Sequence, residues 1–207
     1  MLQSTIRLLL TSSVFFLSSC SSTLLPGLQQ QDASRTSFTS GYFASAETDY
    51  IYKAALSAYG RDLSGIVIIK PTSDKVHRVV FTTEFGNRLF DFEISEDHFK
   101  VNYILEDLDR KVILKILEKD FRLLLQDRFE IDATYTDEKY IVLKSTAGDR
   151  YNYIYLNKDG GRYERLIHAS KRKEKLSISF TSENDSFANA IVLQHANIKL
   201  RIELIRI

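Results

Sequence analysis

Residues 88–125 read RLFDFEISEDHFKVNYILEDLDRKVILKILEKDFRLLL, and the hydrophobic period changes once within them. Arg88–Ser95 alternates: Phe90, Phe92 and Ile94 fall on one side, Asp91 and Glu93 on the other. That is the two-residue repeat of a half-buried strand. Glu96-Asp97 makes a turn, and Phe99, Val101 and Tyr103 resume the alternation. From Leu108 to Leu125 the apolar residues fall instead at Ile113, Ile116, Leu117, Phe121, Leu124 and Leu125, the spacing of an amphipathic helix. Asp107 or Asp109 is placed to cap it, and Lys119-Asp120 is a candidate break. An apolar stripe of this kind must be covered, and a sheet is the only partner the rest of the chain offers.

Outward from that stretch the pattern is almost entirely strands divided by turn residues. Upstream, Tyr50, Tyr52, Ala54, Leu56 and Ala58 alternate until Gly60-Arg61-Asp62. Leu63–Lys70 is nearly continuous apolar sequence turned by Pro71–Lys75, and His77–Thr83 follows as far as the break at Phe85-Gly86-Asn87. Downstream, strands are predicted at Ile131–Tyr135, Lys139–Lys144 and Arg150–Asn157, the last with Tyr151, Tyr153 and Tyr155 on one face. Asn157–Gly161 is a hairpin turn. Tyr163–Ser170 and Leu176–Thr181 flank a basic turn, Lys171-Arg172-Lys173, and two more strands lie near Ala190–Gln194 and Ile198–Ile207. No stretch alternates strand with helix, so a parallel α/β fold is not expected. The expectation is a mostly β (α+β) domain of about eleven strands. A long antiparallel sheet has to curl or close, so the predicted shape is a curved, open antiparallel half-barrel with the helix as a lid.

The N-terminus has a different character. Arg7 is the only charge in the first seven residues, and Leu8–Leu17 is an apolar run too short to span a bilayer. Leu17-Ser18-Ser19-Cys20 resembles the lipobox of bacterial lipoproteins: an aliphatic residue, two small residues, then cysteine. The resemblance implies a signal peptide over 1–19, lipid on the Cys20 thiol, cleavage before Cys20 and acylation (palmitate, for example) of the new N-terminus. The alternative is an ordinary signal peptide with a chance cysteine. Cys20 is the only cysteine in the chain, so it has no disulfide partner here. Residues 20–43, rich in Ser, Thr and Gln, read as a flexible tether, and 44–207 as the folded domain. With 28 Lys and Arg against 27 Asp and Glu, composition offers no argument for nucleic acid.

The order of elements, together with Val79–Leu89, the helix ending in Phe121–Leu125 and the closing strand Asn197–Ile207, resembles the LolB-like family of outer-membrane lipoproteins. The chain also looks like lipoproteins of the Bacteroidetes with the same scaffold. It departs from the enterobacterial pattern in lacking tryptophan and over Asp127–Asp149. The resemblance implies binding rather than catalysis, with no cofactor. The partners it implies are lipoprotein acyl chains, a LolA-like periplasmic carrier and the membrane through the lipid anchor, for a monomer on the periplasmic side of the outer membrane. Phe85 and Gly86 correspond to the family's membrane-insertion loop. Phe90, Phe92, Ile94, Phe99, Val101, Ile113, Ile116, Leu117 and Phe121 correspond to an acyl-chain cavity. Two alternatives stand beside this: Phe85 folded back on the core, and the nine residues as an ordinary sealed core in a lipoprotein that serves as an interaction subunit of an envelope complex.

Other chemistry has little sequence support. His77, His98, His168 and His195 are scattered without metal-ligand spacing. No nucleophile elbow is present. Gly160-Gly161 lies in a hairpin rather than before a helix, which does not suit a phosphate. No catalytic and no metal residues are expected. Lys171-Arg172-Lys173 with Lys175 is the one basic cluster, read as a solvated turn or as a contact for lipid headgroups or an acidic carrier.

Overall fold

A computed structural model describes residues 27–32, 35–73 and 75–207. The expected signal peptide over 1–19, Cys20 and the first part of the expected tether lie outside the described residues. In chain order the elements are β1 (Gln29–Gln31), β2 (Ser37–Thr39), β3 (Tyr50–Ala58), β4 (Arg61–Ser73), β5 (Val76–Thr82), β6 (Arg88–Ile94) and β7 (Phe99–Ile104). A short 3-10 turn (Glu106–Leu108) leads into α1 (Lys111–Leu124). Then come β8 (Arg128–Glu130), β9 (Ala133–Thr136), β10 (Tyr140–Ala147), β11 (Arg150–Asn157), β12 (Tyr163–Ala169), β13 (Glu174–Thr181), β14 (Ala190–His195) and β15 (Leu200–Arg206).

Thirteen strands form one antiparallel sheet in the order β1-β9-β10-β11-β12-β13-β14-β15-β3-β4-β5-β6-β7, and β2 pairs with β8 separately. The expected mostly β architecture with one α-helix is present, but the strand count is higher than eleven. β1, β2 and β8 were missed because three residues are too few to show a period. β1 and β7 are the sheet's edges and do not pair with each other, so it is not closed into a barrel.

Two contacts show how far the sheet bends. Asp120 on α1 meets His195 on β14 at 2.8 Å. The next residue, Phe121, packs edge-on against Phe90 of β6 at 5.8 Å. β14 and β6 are five strand spacings apart in the sheet order, roughly 24 Å if the sheet were flat. Adjacent residues of a helix about 10–12 Å wide reach both only if the sheet curls around the helix.

The face toward the helix is apolar on every long strand. Tyr50, Tyr52 and Ala54 pair across to Ile69, Val67 and Gly65, and those lead on to Val79 and Phe81. On the other side Leu204 and Ile202 continue into Ile191 and Leu193. Gly65 is there for space: a Cβ on it would lie 1.9 Å from the Thr82 carbonyl oxygen and 3.1 Å from the Phe81 ring. Stretch 27–43, part of the expected tether, carries β1 and β2 and ends in Tyr42 and Phe43, both buried. Tyr42 stacks with Tyr163 at 5.7 Å and donates a hydrogen bond to the Tyr163 carbonyl. Phe43 packs on Tyr50 at 5.1 Å. Two consecutive rings therefore bridge β12 and β3 and stop one end of the curl.

Several local expectations change. β4 runs through Pro71, which pairs with His77. β3 begins opposite Ile69, so at Pro71 only β5 is a neighbour and the missing N–H is tolerated. A bulge between Asp91 and Phe92 turns Tyr103 away from Val101, onto the outer face beside Asp91. α1 is unbroken at Lys119-Asp120, and Arg110 stands at its N-cap with no side-chain hydrogen bond, so neither Asp107 nor Asp109 caps it.

On the outer face Asp91 is fully buried between strands. It accepts from Arg78 Nε and Nη2 at 2.9 and 2.6 Å, with Arg88 at 3.3 Å. The Arg78 hydrogen bonds hold its carboxyl below the ordinary value. A carboxylate with a lowered folded pKa contributes stability that is complete above the unfolded value, about 3.9, and lost as pH falls through the folded one. Asp91→Asn is therefore expected to lower the thermal midpoint clearly at pH 7, with the gap to the parent shrinking below about pH 4. Gly65→Ala is expected to cost about 1–3 kcal/mol in urea denaturation from overpacking, whatever the pH.

Candidate functional site

The residues predicted to contact acyl chains gather where α1 meets β6 and β7. Phe90 and Phe92 stack face to face at 4.5 Å, Phe81 lies edge-on to Phe90 at 5.4 Å, and Phe99 reaches Phe92 at 5.1 Å. From the helix, Leu117, Phe121 and Leu124 point inward and are buried. The alternation of β6 and the three-and-four spacing of α1 are what bring these groups to one side.

The nine positions divide by depth. Phe90, Phe92, Ile94, Leu117 and Phe121 have relative exposures of 0–3%. Phe99, Ile113 and Ile116 are half-buried, and Val101 is 38% exposed. Val101 shares the helix side of the sheet, opposite Phe92, but β7 is an edge strand and leaves it open. The site is thus a filled apolar seam with one partly open margin along β7 and the start of α1. Two surface recesses, of about 180 Å³ beside Leu56, Leu63 and Arg201 and about 250 Å³ beside Tyr42, Arg162 and Phe180, touch none of the nine residues.

Sequence reading missed the polar contact that holds α1. Asp120 is 2% exposed, and its carboxylate accepts from His195 Nε2. Burial pushes the Asp120 pKa up, and the His195 hydrogen bond opposes that shift. Seventy-five positions separate the two residues, so no local spacing could have paired them. A few residues further on, the Arg122 guanidinium donates to the Ser95 and Glu96 carbonyls and pairs with Glu118 at 2.7 Å. Among the described residues no hydroxyl hydrogen-bonds to His195. Two of the other histidines are likewise engaged, His77 with the Phe43 carbonyl and His168 with Asn152, while His98 is exposed in the β6–β7 turn. No group of three metal-ligating side chains occurs among the described residues.

Phe85 is 94% exposed at the tip of the β5–β6 turn. The Gly86 N–H donates to the Thr83 carbonyl, the Thr83 N–H donates to that of Asn87, and Gly86 takes a φ of 84°. That closed turn leaves the ring no route back to the core.

Among solved structures the chain is similar to a LolA superfamily protein from Nitrosomonas europaea, with a TM-score of 0.51 at 8% identity, covering 80% of this chain and 86% of that one. The fold is the LolA/LolB fold. A DUF1329 family protein from Desulfovibrio piger gives a TM-score of 0.45 at 10% identity, covering 78% of this chain and 85% of that one. A domain assigned to outer membrane lipoprotein sorting, from Vibrio parahaemolyticus, gives 0.44 at 11%, covering 76% and 82%. No family model matches the sequence, and no curated protein matches it. At these identities the likeness concerns the fold.

Removing the Asp120 side chain leaves the His195 donor without its partner in a dry seam. Asp120→Ala is expected to lower stability by about 1–3 kcal/mol. Asp120→Asn, whose amide oxygen still accepts from Nε2, should lose clearly less. Urea midpoints of the three proteins check the order.

Proposed function

We infer that this chain is a LolB-like lipoprotein, tethered through lipid on Cys20 to the periplasmic face of the outer membrane, that takes up acyl chains between its curled sheet and α1 and takes part in lipoprotein localisation. Residues 1–19 are then a removed signal, Cys20 starts the mature protein, and the folded domain follows a short tether. The reading treats it as a non-enzymatic monomer that receives cargo from a LolA-like periplasmic carrier. Its divergence from the enterobacterial pattern suits the Bacteroidetes-type lipoproteins it resembles.

The observation that carries the reading is the apolar seam where α1 covers β6 beside the sheet's open edge. α1 is held by side-chain contacts to a face whose other wall is the open edge β7. Leu117, Phe121 and Leu124 leaving the seam would lose roughly 1.5–3 kcal/mol each. An acyl chain gains about 0.8 kcal/mol for each methylene it buries. One long chain therefore offsets the departure of the helix, and two do so with room to spare. Alkyl contacts have no direction, so the site accepts cargo by its tails. Phe85, already in solvent, is placed to enter lipid when the cargo is handed on.

The complete burial of Phe90, Phe92 and Ile94 favours a second reading: a permanently packed module that binds a protein partner and carries no lipid.

Native mass spectrometry of residues 21–207, which contain every element described, separates the two. Bound fatty acid or phospholipid is expected, and a chain that stays bare in the presence of lipoprotein-loaded carrier refutes uptake. In a transfer assay Phe85→Glu is expected to reduce delivery to membranes at least tenfold while leaving the melting temperature unchanged, since the ring makes no core contact.

A further inference from the structure

The five hairpin turns at one end of the sheet follow each other in space as β10–β11, β12–β13, β14–β15, β3–β4 and β5–β6. The first three of these turns carry Arg150, Lys171, Arg172, Lys173 and Lys199. Only Arg150 has an acidic partner there, Asp149 at 3.5 Å; the other four make no ion pair among the described residues. The next turn adds Tyr59, 68% exposed and held in a left-handed conformation (φ 51°). Its N–H donates to the Lys199 carbonyl, so the ring stands beside the basic arc. Phe85 tips the turn after that. The arc's carboxylates are outnumbered. Asp62 sits next to Arg61, Glu84 pairs with Lys53, Asp132 accepts from Thr146, Glu174 follows the Lys171–Lys173 run beside Lys175, and Glu106, Asp107 and Asp109 lie past β7 at the far edge. In the turns at the opposite end Glu96, Asp97, Asp137, Glu138, Asp159, Glu183 and Asp185 outnumber Lys75, Lys139, Lys158 and Arg162.

We propose that this arc of hairpin turns is a docking face for an anionic phospholipid surface, with the cations on the headgroups and Tyr59 and Phe85 at the interface. Exposed rings beside unpaired cations are what such a surface selects: each cation near an anionic leaflet is worth about fivefold in affinity, and aromatic rings settle at headgroup level. An acidic patch on a protein would match the charge but would give the two exposed rings no apolar counterpart. The geometry also fits the anchor. β1 enters the sheet at the acidic end. From Cys20 to Gln29 is nine residues, about 30 Å when extended, against roughly 23 Å for a seven-residue strand such as β12. The tether is long enough to run the height of the sheet and let the basic arc face the bilayer. This orientation rests on the proposed lipid at Cys20; the docking itself does not.

The test is vesicle flotation of residues 21–207, which lack the anchor. The protein is expected to float with phosphatidylglycerol-containing vesicles, weakly with pure phosphatidylcholine, and less as salt is raised. Reversing three charges together, Lys171→Glu, Arg172→Glu and Lys173→Glu, is expected to weaken binding by at least about 100-fold, the loss of three cations at the stated fivefold each. Lys139→Glu with Lys158→Glu, at the opposite end, should change it little. Tyr59→Ser is expected to weaken binding to both vesicle types. Circular dichroism melting confirms that each variant is folded. Equal binding to the two vesicle types, a triple variant that floats like the parent, or a parent that floats with neither overturns the proposal, the last assigning the arc to an acidic protein. A domain that floats but carries no acyl chain keeps this inference and loses the function proposed above; one that carries lipid and does not float does the reverse.

Discussion

The structure depends on a helix gripped by strands that lie far apart in the sheet order. Asp120 and Phe121 are neighbours in sequence, yet one reaches β14 and the other β6. Every intervening strand must turn its apolar face inward for both contacts to exist. The continuous helix-side row through Tyr52, Val67, Phe81 and Phe90 allows this, because none of those positions carries a charge. Gly65 lets β4 and β5 approach at the bend. The curl, the buried aromatic cluster and the position of α1 are thus one constraint seen from three sides.

The same constraint explains why a polar pair sits in an apolar seam. Hydrophobic contacts are non-directional and would let α1 slide along the face. A buried carboxylate with a single donor has one acceptable place. His195 fixes Asp120 in that place, and the Arg122 contacts to the Ser95–Glu96 turn fix the next helical turn. Removing Asp120 from water is costly, as its raised pKa records. That cost makes the grip specific and also limits its strength.

Much of the fold was legible because the long strands and the helix announce themselves by period. The alternations of Tyr50–Ala58, Arg88–Ile94 and Ile202–Leu204 and the helical stripe from Ile113 to Leu124 survive as drawn. What was lost is what has no period. Three-residue strands such as β1 and β8 carry too few positions. Tyr42 and Phe43 look like loop residues until β12 and β3 are brought to either side of them. The bulge at Asp91 flips Tyr103 without any local signature. At the site, sequence gathered the nine apolar positions, since burial and greasy contact select the same residue types. It did not divide them into sealed and open, because Val101 is exposed only through the edge position of β7. The Asp120–His195 contact depends on the whole curl and is invisible to spacing.

The pairing of β3 with β15 has a consequence for the order of events during folding. β3 is the first long strand made, and its partner is the last. Hairpins on either side of the seam close locally and early. The seam itself joins residues about 150 positions apart, and the chain must carry its loop-closure entropy before that contact rewards it. Until β15 arrives, β3 and β14 each present a bare row of amide and carbonyl groups to any other strand nearby. An organism making this protein must therefore either keep nascent copies apart or bring the final strand in quickly.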